Sequence, residues 1–150
     1  MGHGLELLSD PVAERLLAST NPARLAYSWT DGTPRVVPIW FHWDGIRVYF
    51  GTPPSAPKIK ALQADPSVAV TIDSNAFPWD VLMIRGEVTV EILPDVGPEY
   101  VAAAERYFGP EAAATWVSQM RGRPMARIAL TPESVRVLDF QTRFPSAMSA

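Results

Sequence analysis

Apolar and polar residues alternate over several short stretches of this chain, the period-two signature of half-buried strands. Ile46, Val48 and Phe50 interleave with Arg47, Tyr49 and Gly51, and Val68, Val70 and Ile72 mark one face of a second run. Strands are predicted over 24–30, 36–42, 46–50, 67–73, 81–90, 125–130 and 134–140. Asp31-Gly32 and Asp44-Gly45 supply tight turns, because glycine enters the positive-φ region without strain. Gly86, inside the 81–90 run, predicts a bulge or a close backbone approach. Helical segments carry their own punctuation. Asp10 before Pro11 reads as an N-cap with proline in the first helical position, and Asn21-Pro22 stops that helix. A turn over 51–55 leads into a helix over 57–64, with Ser55 or Thr52 as cap and Asp65-Pro66 as its end. Two alanine-rich helices, 98–108 and 111–120, are divided by Gly109-Pro110. Residues 1–8 read as a loose arm and 141–150 as a tail. The loop 74–80 carries two exposed aromatics, Phe77 and Trp79.

Seven strands with helices inserted late, and no regular βαβ alternation, predict a mainly β chain with helices, an α+β fold. The economical architecture is a small barrel of about six or seven mostly antiparallel strands, since closure removes aggregation-prone edges. At 150 residues one domain spanning 1–150 is expected, burying ~70% of the unfolded surface.

Composition narrows the function. A net charge of −3 disfavours a nucleic-acid or anionic-membrane surface. There are no cysteines, which excludes disulfides, thiolate catalysis and cysteine-held metals. No signal peptide or long apolar run is visible, so a cytoplasmic location is expected. Only His3 and His42 could serve as imidazole bases, no serine sits in a nucleophile elbow, and no phosphate-binding glycine loop appears. This scarcity of acid–base machinery fits a protein whose cofactor supplies the chemistry. Trp40, Trp43, Phe77 and Trp79 could cover a flat ring, or could simply be core and interface residues.

The start of the 57–64 helix admits two readings. Unpaired N–H groups at a helix start, the hydroxyls of Thr52 and Ser55, and the ammonium of Lys58 would together bind a phosphate. Alternatively the hydroxyls only cap the helix, and Lys58 and Lys60 form a solvated face.

One ordered series adds to these readings: Gly32-Thr33-Pro34-Arg35-Val36-Val37-Pro38-Ile39-Trp40-Phe41, Asp44-Gly45, Val48-Tyr49-Phe50-Gly51-Thr52, Lys58, Leu62 and Pro66. It resembles the pyridoxamine 5′-phosphate oxidase-related split-barrel family, over roughly 25–90 with weaker echoes in the last strands. The resemblance implies a split-barrel homodimer that binds FMN, or alternatively the deazaflavin coenzyme F-420, between two subunits and acts as an oxidoreductase on a small organic molecule. A non-catalytic carrier of flavin or heme is a second reading, and a cofactor-free structural dimer a third. Pro38, Ile39 and Trp40 would run along the cofactor ring, Thr52 and Lys58 would hold its phosphate, and the 77–80 loop with Trp79, together with Arg85, would complete the pocket. Two departures stand out. Ala56-Pro57-Lys58 replaces the family's Ser-Arg-Lys run, removing an arginine's bidentate grip. The C-terminal Trp/Arg/His set that binds pyridoxine phosphate is missing, so true pyridoxamine-phosphate oxidase activity is not expected.

Overall fold

A computed structural model describes residues 2–143. Its elements are a 3₁₀ turn Leu5–Ser9, α1 Pro11–Leu17, β1 Ala23–Ser28, β2 Pro34–Ile39, β3 His42–Trp43, β4 Val48–Thr52, α2 Pro57–Ala64, β5 Ser67–Asp73, β6 Asp80–Leu93, α3 Pro98–Phe108, α4 Pro110–Ser118 and β7 Met125–Asp139. The seven strands form one antiparallel sheet in the order β2-β1-β5-β6-β7-β4-β3.

The two ends of that order are consecutive in the chain. The predicted strand 36–42 is in fact two strands on opposite edges, separated only by Trp40 and Phe41. The hydrogen-bonded ladder is therefore not closed, contrary to the closed barrel expected from sequence. Closure is covalent, through Trp40-Phe41, and Phe41 is fully buried at the crossing. The expected mainly antiparallel, split-barrel α+β fold is otherwise what forms.

Alternation drives the core. Leu25, Val48, Phe50, Val70, Ile72, Leu82, Ile84, Ile128 and Leu130 are all at most 2% exposed and pack in one cluster. Val12, Leu16 and Leu17 of α1 and Ile59 and Leu62 of α2 join it. On the opposite face, α3 and α4 cover a second cluster that includes Val96, Ala104, Val117 and Met125, with Trp40 and Tyr100 against it.

Three further expectations change. Residues 2–8, the described part of the expected loose arm, are tied down: the His3 N–H donates to Glu133 O (2.8 Å), and the Val135 N–H donates to His3 O (2.9 Å). The two predicted C-terminal strands are one, because Pro132 sits at a bulge, where its missing N–H interrupts no ladder bond. Arg85 pairs with Ser134 and Gly86 with Pro132, leaving Glu133 as the extra residue. The turn expected over 51–55 starts late, since Gly51 and Thr52 belong to β4. A Cβ on Gly51 would lie 2.7 Å from the Tyr100 ring, so glycine here lets α3 settle on the strand. Asp10 caps α1 as expected, its Oδ1 accepting from the Val12 N–H (2.9 Å). Among the described residues no helix is long and apolar enough to cross a membrane.

Candidate functional site

The split between β2 and β4 leaves backbone on both sides without a sheet partner. β3 pairs with β4 only through His42–Tyr49 and Trp43–Val48, so Phe50, Gly51 and Thr52 pair with β7 alone. β2 pairs only with β1. Backbone polar groups left outside a ladder need other partners, so the ends of β2 and β4 offer hydrogen bonds to a ligand. Pro38 and Ile39 lie at the end of β2, Pro38 exposed and Ile39 half-buried.

Thr52 ends β4, 6% exposed, and its Oγ1 accepts from Lys58 Nζ at 3.5 Å, long for a hydrogen bond. Lys58 sits in the first turn of α2. Burial pushes its ammonium below the usual lysine range, because desolvation disfavours the charged form. Among the described residues it has no carboxylate partner. Neither Ser55 nor Thr52 caps α2, correcting that expectation: Ala56 occupies the N-cap, and Pro57, at the first helical position, needs no acceptor. Ser55 lies exposed in the turn between β4 and α2.

Trp40 is committed elsewhere. Its ring stacks on Tyr107 (5.2 Å, 12°), meets Phe108 edge-on (4.7 Å) and approaches Tyr100 (5.9 Å). Below it lies a crevice lined by Trp40, Tyr49, Gly51, Glu99, Tyr100 and Arg127. Arg127 donates to Glu91 and Glu99 (2.9 Å each) and lies 5.9 Å over the Tyr49 ring. Glu99 Oε2 and His42 Nδ1 are buried without a protein partner. The crevice holds about one water, which suits hydration of the Glu99 carboxylate and not a ring.

The remaining predicted residues lie apart. Asp80 pairs with Asp139 and Thr52 with Ala126, so Trp79 and the Thr52–Lys58 pair stand at opposite ends of β7. Trp79 is 37% exposed and meets Phe77 edge-on (6.4 Å). Arg85 is exposed mid-strand between Ala69 and Ser134. Within one chain, then, Pro38–Trp40, Thr52, Ser55 and Lys58 gather near the split, and Trp79 and Arg85 do not join them. Sequence reasoning missed the groove beyond Thr52, whose far wall comes from the α4–β7 connection. A cation flanked by turn residues, Gly122-Arg123-Pro124, was the only signal for it.

The model of the pyridoxamine 5′-phosphate oxidase family matches residues 9–139. No curated protein matches the sequence. Among solved structures, an F420 reductase is 29% identical, with a TM-score of 0.65 over 81% of this chain and 93% of that one. A conserved hypothetical protein from Mycobacterium tuberculosis is 20% identical (TM-score 0.67, 84% and 81% covered). A heme binding protein from Mycobacterium smegmatis is 20% identical (TM-score 0.62, 88% and 54% covered). The last two likenesses concern the fold alone.

Proposed function

This chain belongs to the pyridoxamine 5′-phosphate oxidase family, and from that premise we propose that it is an oxidoreductase. It would bind FMN, or alternatively the deazaflavin coenzyme F-420, at the split and act on a small organic substrate. The observation that carries the reading is Lys58: a desolvated ammonium with no carboxylate partner, beside a buried threonine hydroxyl and a helix start. That donor set fits a phosphate, since an anion would return the charge stabilisation that burial removed.

When bound, such a cofactor supplies two-electron transfer at its ring. The chain's part is to bind and orient it. Lys58 and Thr52 would hold the phosphate, with Ser55 in reach of the same turn. The open edge at Pro38–Ile39 and the backbone of Trp40 would meet the polar rim of the ring. Trp79 and Arg85 lie too far along the sheet to join from the same chain, so their contribution requires a second subunit. The F420 reductase likeness supports the deazaflavin alternative, and the missing arginine at Ala56-Pro57 weakens the case for a doubly charged terminal phosphate.

The test is titration of purified protein with FMN and with the deazaflavin coenzyme. Binding should quench ligand fluorescence and raise the melting temperature. If neither ligand does either at high concentration, the reading fails. Turnover of a reduced cofactor with an acceptor panel then separates an enzyme from a carrier, the second reading, which the heme binding neighbour keeps in view.

A further inference from the structure

Trp40 and Phe41 alone separate β2 from β3, and neither belongs to a ladder. Backbone groups there need partners from elsewhere. The last turn of α3 supplies them. The Arg106 Nη2–H donates to Phe41 O, and its Nε–H donates to Ser19 O (2.9 Å). The guanidinium stands 4.7 Å from the centroid of the Phe41 ring and 4.9 Å from that of Tyr107. Tyr107 repeats the grip one residue on. Its ring stacks on Trp40 (5.2 Å, 12°), and its hydroxyl donates to Asn21 O (3.0 Å). Two consecutive residues of α3 thus hold both residues of the crossing and the connection 18–22 that leads into β1.

Both flanks of the split depend on those contacts. Ala23, the first residue of β1, pairs with Ile39, and Arg24 pairs with Pro38. Beyond the crossing, His42 pairs with Tyr49 of β4. Arg106 therefore ties the lead-in to β1, on which the end of β2 is registered, to the start of β3. The residue type fits the task. One planar group reaches two carbonyls from remote segments while lying against a ring. A lysine would keep the charge, but a compact ammonium on a flexible stem does not fix that geometry.

We infer that Arg106 is a positioning residue of the cofactor site. It touches no cofactor; it sets the path of the Trp40-Phe41 crossing, and so the place from which the Pro38–Trp40 backbone meets the ring. This rests on the flavin or deazaflavin reading and deepens it. Charge and geometry are separable here, because the Arg106 charge also faces His42, alongside Asp44 and Glu99.

The experiment compares wild type with Arg106→Lys, Arg106→Gln and Ile72→Val. Ile72 is a fully buried core residue of β5, so its variant lowers stability without touching the crossing. FMN and the deazaflavin coenzyme are the probes. Kd is read by fluorescence, ring surroundings by the visible absorption of the saturated complex, and the ligand-free protein by melting temperature and by NMR titration of His42. Both Arg106 variants should weaken binding about tenfold and shift the visible band. Ile72→Val should lower the melting temperature, leave the band in place and keep Kd within about twofold of wild type. His42 should titrate as in wild type in the lysine variant and at higher pH in the glutamine variant, since only the latter removes the charge. If Arg106→Lys binds like wild type with an unmoved band, geometry is not what counts and the inference is overturned. It is overturned equally if Ile72→Val weakens binding as much as the Arg106 variants do, or if His42 is unmoved in Arg106→Gln. In each of those cases the cofactor reading stands. If wild type binds neither probe, the cofactor reading fails and takes the inference with it.

Discussion

Lys58 and Gly86 show how far single residues carry the argument. Lys58 has a half-buried charge and no carboxylate partner among the described residues. Lys58→Ala should cost ~1.5–3 kcal/mol of cofactor affinity, roughly 10- to 150-fold in Kd. Lys60→Ala, turned away by about 200° on the same helix, should leave binding intact, and raised salt should weaken wild type more than the Lys58 variant. Equal, negligible effects from both substitutions would return these lysines to a solvated face. Gly86 concerns stability. A Cβ there would lie 2.1 Å from the Thr131 carbonyl oxygen, and backbone cannot swing aside as a side chain does. Gly86→Ala should lower the unfolding free energy by about 1–3 kcal/mol, read by urea denaturation; an unchanged midpoint would mean the bulge is softer than its contacts imply. The Asp10 cap was legible because it depends on its nearest chain neighbours, and Gly86 because a glycine inside a strand run signals a close backbone approach wherever the approaching strand comes from. The caps assigned to Ser55 and Thr52 failed for a local reason too: Pro57 removes the N–H that one cap would serve, and β4 claims Thr52.

At the scale of elements, α3 is fastened over the split by Arg106, which donates to Ser19 O (2.9 Å) and Phe41 O and lies 4.7 Å over the Phe41 ring. That attachment bears on His42. Burial first, and the Arg106 charge second, hold its imidazole below the usual histidine range, against smaller opposing pulls from Asp44 and Glu99. The unfolded chain therefore takes up a proton that the folded chain resists. Stability is fully present above about pH 6.5 and declines as pH falls. The melting temperature should drop as pH falls from about 6.5 to about 5.5, and His42→Gln should flatten that slope. A slope surviving the substitution would assign the effect to another group. The carboxylates of Asp10 and Asp139, held low by Arg143 and Thr142, lose their contribution only below the ordinary aspartate range, outside this window. Periodicity located the strands well, since alternation is a property of each run. It could not show that 36–42 is two strands, because Trp40 and Phe41 are as apolar as their neighbours. Pro132 misled for the opposite reason, a residue that usually ends strands standing where a bulge accommodates it.

For the whole molecule, Trp79 and Lys58 lie at opposite ends of β7, so a site using both needs two subunits. Light scattering should give a dimer at micromolar concentration. Lys58→Ala and Trp79→Ala should each weaken cofactor binding when pure, yet a mixture dissociated and reassembled should recover some tight sites. Each mixed dimer would hold one site in which an intact Lys58 meets an intact Trp79 of the partner subunit. No recovery, or a monomer, would remove Trp79 from the site. Its exposed place beside Phe77 was foreseen; its distance from Lys58 was not, because strand order is invisible to local patterns. The covalent crossing at Trp40-Phe41 also constrains how the chain finds its shape. The pairings β1–β2 and β3–β4 join near neighbours and can form early at little entropic cost. The β4–β7 pairing must wait for everything between Thr52 and Ala126 to be made and arranged. Because one continuous segment belongs to both early hairpins, each must hold its register before the other can be placed. The cleft that would receive a ligand is thus the seam between two hairpins that share one continuous segment.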